Sequence, residues 1–351
     1  MTNALHTLSS SEETAKERII WLDSLKGVGI LLVVIFHTLS ATPFGTYLTA
    51  CYMPLFFIAS GYIFYKKGRK NWQLKRLLVP YTIWIIFYLC LVCAFLLLNN
   101  AFTWKQCLTY AGGAIWSRFS LFPIDTTPNI VLLPPGARPL WFLTCMVLSS
   151  LLSLPLIRTQ QSKLRLLLAI GYIILSIALA YLPILLPWSL DTAFMGALFI
   201  WSGYMAAQWN LSHKSQLALF VCALALYILL VYVNGEINMS VRIYGDFAAW
   251  SIPLFLSIGI LGTYCYAFVC NLLNSNFIGR SLAYLGQASL TIMCVHSLFI
   301  ILFDDIFNLT QCLNFLPYPI QMVCLTSIVI LASYSVDFLL HLPKRFLKHS
   351  S

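Results

Sequence analysis

Long apolar runs separated by short polar connections make up most of the chain. A hydrocarbon core about 30 Å thick is crossed by roughly 20 mostly apolar helical residues. Ten runs approach that length: 25–42, 47–65, 77–98, 139–157, 166–186, 192–209, 217–233, 248–272, 282–303 and 317–342. Polar residues interrupt the first and the sixth. No strand-like alternation competes, and lipid admits only helices or closed barrels. The expected fold class is therefore all-α, a polytopic transmembrane bundle of about ten spans.

Composition agrees. Of 351 residues, 60% are apolar and only 9% charged, against about 25% charged in soluble domains. Mean hydropathy is +0.85. A soluble globular domain, a nucleic-acid binder, a secreted disulfide scaffold and a disordered chain are excluded. The net charge of +10 is explained by its placement. With ten spans, 17 Lys and Arg fall on the side of the two termini and 4 (Lys105, Arg118, Arg138 and Arg242) on the other. The positive-inside rule puts both termini in the cytoplasm.

The layout divides the chain into a cytoplasmic tail 1–20, a transmembrane domain 21–343 and a second tail 344–351. The polar, mixed-charge start of the chain does not read as a cleavable signal peptide. The longest extracytoplasmic loop, 99–138, contains several aromatics, Gly112–Gly113 and Pro134–Pro135, and is expected to fold back onto the membrane face as a cap. Eleven cysteines lie mostly inside spans, where they read as small hydrophobes, Cys90-x-x-Cys93 included. Cys107 and Cys312 fall in outer loops, where an oxidising compartment would permit a disulfide, although nothing in the sequence brings those loops together.

Ionisable residues inside lipid are functional candidates by default. His37 lies in the first run, His296 in the ninth, and Asp337 with His341 near the end of the tenth. His37 lies eleven positions after Lys26, so at about 100° per residue the two share one helix face, roughly 16.5 Å apart along the axis. Asp23, one turn before Lys26, is spaced for an ion pair. The stretch Gly27–Phe36 between them is apolar. Desolvation disfavours imidazolium, so a histidine at this depth is expected to be neutral and able to serve as a base or nucleophile. A structural histidine bonded to a neighbouring helix is the equal alternative.

After the second run come Lys66, Lys67, Arg69, Lys70, Lys75 and Arg76. These cations suit ligand phosphates or, equally, anionic lipid headgroups. Arg76, four residues before Pro80, is expected to aim inward.

Four blocks in order resemble the acyltransferase-3 family of integral membrane acyltransferases, especially short acetylases of the fucose 4-O-acetylase type without an appended domain. They are Trp21-Leu-Asp-Ser-Leu-Lys-Gly27 with the basic-x10-His ending at His37, Pro54-Leu-Phe-Phe-Ile-Ala-Ser-Gly-Tyr62, Lys75-Arg-Leu-Leu-Val-Pro-Tyr81 and Pro139-Leu-Trp-Phe-Leu143. A fifth, Leu285-Gly-Gln-Ala-Ser-Leu290 followed by His296, is weaker. The resemblance implies an O-acyltransferase, in particular an O-acetyltransferase, in a bacterial inner membrane. Its acyl group would come from cytosolic acyl-CoA, with acetyl-CoA as co-substrate and no permanently bound cofactor or metal. The acceptor would be a hydroxyl of a cell-surface glycan or its lipid-linked precursor; membrane lipid and glycan-assembly proteins are the implied partners.

By the resemblance His37 matches the essential histidine and Lys26 its basic partner, more often arginine in the family, with Asp23 beside them. Arg76, together with Lys75, Arg69 and Tyr81, is the expected donor-binding set. Arg138 and Trp141 at the outer mouth, His296 and Ser60 are the expected acceptor contacts. Asp337 and His341 suit a local ion pair, and Asp304–Asp305 a solvated loop start. A multi-pass transporter or flippase is the rival reading, although transporters usually show repeats and paired midplane carboxylates.

Overall fold

A computed structural model describes residues 18–39, 43–123, 129–210 and 212–349; the start of the chain, with Lys16, lies outside them. Apolar segments with no water to satisfy their backbone must close their hydrogen bonds internally, and among the described residues the regular structure is helical throughout. The longer helices are α1 Ile20–Leu39, α2 Tyr52–Lys66, α3 Lys75–Leu98, α4 Trp104–Trp116, α5 Trp141–Arg158, α6 Ser162–Ala180, α7 Leu190–Ala206, α8 His213–Asn234, α9 Ser251–Leu272, α10 Phe277–Gln287, α11 Ser289–Ile300 and α12 Tyr318–His349.

Nine stretches of the described residues are long and apolar enough to cross a membrane. The sixth predicted run, 192–209, is absent from those nine because α7 is only 17 residues long. It sits in the centre of the bundle, with Met195, Phe199 and Ile200 fully buried. It runs parallel to α2: a Cβ on Gly196 would meet the Phe57 ring, one on Gly61 the Ile200 carbonyl, and Tyr65 and Tyr204 meet edge to face. A helix walled by protein does not depend on its own apolar length to traverse, so α7 is compatible with a tenth pass beside the nine found among the described residues. α3, α6 and α8 form the lipid-facing rim, with only a few residues of each buried.

Two predicted elements are redrawn. The ninth run, 282–303, is broken at Ala288 into α10 and α11. α10 is a separate amphipathic helix whose buried Gly279, Ala283 and Gly286 form a small-residue face at helical spacing. That face lies against α1 at backbone contact: a Cβ on Gly286 would stand 1.8 Å from the Asp23 carbonyl oxygen, and one on Gly27 1.9 Å from that of Leu282. Ser24 donates to the Gly279 carbonyl at 2.7 Å. The loop 99–138, in turn, is more than a surface cap. α4 runs back along α3, with Cys107 Sγ 3.6 Å from Cys93 Sγ and the Tyr81 hydroxyl donating to the Ala114 carbonyl. Cys107 therefore neighbours Cys93 rather than Cys312, which is exposed.

Candidate active site

The cation-rich ends of α1, α2 and α3 converge on one cavity of about 290 Å³. Lys26, Arg69 and Arg76 line it with Trp72, Gln73 and Leu77; Ser60, Ile63, Met146 and Ser150 form its walls. Phe56, Phe142 and Met293, among its lining residues, are nearly inaccessible to solvent and make the floor. The loop 67–74 that carries Arg69 is held in place by Trp72 stacked on Phe64 at 4.3 Å. Arg158 reinforces it by donating to the Lys70 carbonyl and the Asn71 side chain, each at 3.1 Å. Burial, and then the neighbouring Arg69, Lys26 and Arg76, pull Lys67 below the usual lysine range. Burial and Arg76 do the same to Arg69. Cations that repel one another this closely are poised for an anion.

Three residues beyond Met293, about one helical turn, lies His296. Its ring is fully buried and its centroid is 5.3 Å from that of His37. His37 itself is exposed, with its ring edge to face on Phe36 at 5.3 Å. Phe36, beside it, stacks on Tyr52 at 4.8 Å. Arg138, exposed and stacked over Phe119 at 3.9 Å, is within electrostatic reach of both His37 and Asp305. The cavity thus ends about one turn short of the His37–His296 pair, of which His296 is buried and His37 is exposed.

The structure gathers Lys26, Ser60, Arg69 and Arg76 on the cavity and His37 with His296 and Arg138 beyond its floor. Asp23 bridges Lys26 at 3.2 Å and Arg18 at 2.9 Å, as the spacing suggests. Lys26 sits roughly 16.5 Å and Asp23 roughly 21 Å below His37 along α1, at the mouth and away from the ring. The Ser60 hydroxyl donates to the Phe56 carbonyl at 2.8 Å. Lys75 is exposed and off the cavity lining, and Tyr81 spends its hydroxyl on α4. Trp141, expected at the outer mouth, is instead 8% exposed inside the bundle, with the Arg118 guanidinium over its ring at 5.9 Å. The short 3₁₀ helix Pro135–Leu140 preceding α5 carries Trp141 inward. Asp337 and His341 do approach, at 3.4 Å, and Asp337 also accepts from Thr291 at 2.6 Å.

The sequence reading missed a buried cluster. Asp191 Oδ2 lies 3.3 Å from both Arg118 and Arg242. Asp191 stands one residue ahead of the predicted sixth run and both arginines lie in outer loops, so no local signal joined them.

Compared with known proteins, the chain matches a family model described as an acyltransferase domain (Acyl_transf_3) over residues 19–338. No curated protein and no solved structure matches it.

Proposed function

The chain belongs to the acyltransferase-3 family and is a multi-pass membrane acyltransferase; from that premise we propose that it moves an acetyl group from cytosolic acetyl-CoA to a glycan hydroxyl. The observation that carries this reading is the cavity itself, which has a cationic mouth at Lys26, Arg69 and Arg76 and an apolar floor one turn from the His37–His296 pair. Such a shape suits a ligand with a polyanionic head and a narrow arm. Phosphates rest on the cations, and the pantetheine arm lies along Ile63, Met146 and Leu290. Met293, flexible and unbranched, yields to let the thioester reach His37. The acceptor, a surface glycan or its lipid-linked precursor, comes from the opposite side past Arg138.

His37 takes the proton from the attacking hydroxyl as its oxygen bonds to the thioester carbonyl carbon. Collapse of the tetrahedral intermediate breaks the C–S bond, and the departing thiolate recovers the proton from the imidazolium. General-base help of this kind is worth about 10²–10⁴ in rate. Asp23 and Lys26 act at the mouth, where Asp23 holds the ammonium in place. A bacterial inner membrane is the setting that this chemistry suits.

The test is transfer of radiolabel from acetyl-CoA to glycan in membranes that carry the protein. His37→Ala abolishes transfer while the protein accumulates normally; transfer at the unaltered rate would remove His37 from the chemistry.

A further inference from the structure

His296 has one nitrogen accounted for and one that is not. Nδ1 lies 3.0 Å from the Ile292 carbonyl oxygen. A carbonyl only accepts, so Nδ1 carries the hydrogen and Nε2 is left as a bare acceptor. That nitrogen is buried and has no hydrogen-bond partner in the structure, although the interior of a protein rarely leaves a polar atom so. The neighbouring ring is His37, 5.3 Å away centroid to centroid and tilted by 35°. With the centroids that close, ring nitrogens turned toward each other fall within hydrogen-bond reach.

We propose that His296 is a positioning residue for His37. Its Nε2 accepts the N–H of His37 and so fixes the tautomer in which the other nitrogen of His37 is bare and faces the acceptor hydroxyl. When His37 takes up the proton, the same hydrogen bond is donated by an imidazolium and is strengthened. His296 touches no reacting atom and exchanges no proton with substrate. Its work is the orientation that a second group performs for a catalytic histidine. The inference rests on the reading of His37 as the base.

The two amide side chains separate this role from a merely structural one. In general an Asn amide can occupy the place of Nδ1, and a Gln amide that of Nε2. His296→Asn keeps the bond to the Ile292 carbonyl and loses the acceptor aimed at His37, whereas His296→Gln keeps that acceptor. The expected result in membranes is that His296→Gln retains kcat within about tenfold of the unaltered protein. His296→Asn and His296→Leu lose about 100-fold or more in kcat, with KM for acetyl-CoA unchanged. His296→Asn equal to or better than His296→Gln, or His296→Leu at full kcat, overturns the proposal. Should His296→Leu fail to accumulate, the Gln and Asn pair decides alone. His37→Ala is run alongside: activity retained there refutes the base assignment itself. Activity lost in His37→Ala but indifferent to position 296 refutes only the role of His296.

Discussion

Replacing Asp191 by alanine leaves two guanidinium groups inside the protein without their carboxylate. Arg118 is 1% exposed and Asp191 equally enclosed, and Arg242 holds the same oxygen from another loop. Arg242 keeps its bonds to the carbonyls of Leu179 and Leu182, at 2.5 and 2.7 Å. Arg118 keeps only Ser189 at 2.8 Å and the face of Trp141. Breaking a buried ion pair from one side costs about 3–5 kcal/mol. Here one carboxylate serves two cations and also accepts the Thr192 and Leu186 amides, so the loss belongs near the upper figure, about 5 kcal/mol. At about 2 °C per kcal/mol for a large chain, that lowers the melting temperature by roughly 10 °C. Thermal unfolding of detergent-purified protein, followed by size-exclusion fluorescence, measures it. Adding Arg118→Met to Asp191→Ala removes the worst-placed charge and recovers part of the loss. A melting temperature for Asp191→Ala within about 2 °C of the unaltered protein would refute the reasoning, as would a double variant worse than the single one. The cluster matters to the site because Arg118 lies over Trp141, whose neighbour Phe142 floors the cavity.

Three further outcomes are expected. Gly286→Ala drives a methyl group onto the Asp23 carbonyl, so α10 detaches from α1 and the protein fails to accumulate in membranes, as a western blot against Gly171→Ala, where a Cβ meets nothing, would show. Arg76→Ala removes one charge-assisted phosphate contact, worth about 1.5–3 kcal/mol, and raises KM for acetyl-CoA by roughly 10–100-fold with kcat nearly unchanged; equal KM values would take Arg76 out of donor binding. Treating membranes with a small disulfide oxidant joins Cys93 to Cys107, whose sulfurs are 3.6 Å apart, and leaves Cys312 free to react with a maleimide; mass mapping that finds Cys107 joined to Cys312 would contradict the placement of α4.

Hydropathy along the chain was enough to establish an all-α membrane bundle, because spanning length and backbone self-satisfaction are local properties of each segment. The face shared by Asp23, Lys26 and His37 was equally legible, since helical spacing alone sets it, and the Asp23–Lys26 bridge is its direct consequence. The meeting of Lys26 with Arg69 and Arg76 on one cavity was not legible, because they stand on different elements and only packing joins them. The same holds for Trp141, whose type suits a membrane surface but whose place was decided by the turn before it and by Arg118. The break at Ala288 escaped notice because the small face of α10 has meaning only against Gly27. His296 and His37, 259 positions apart in the numbering, became neighbours through the closure of α11 on α1. Pattern along a chain reports what each segment can bury; which polar groups are then trapped together depends on contacts between segments that no local period encodes.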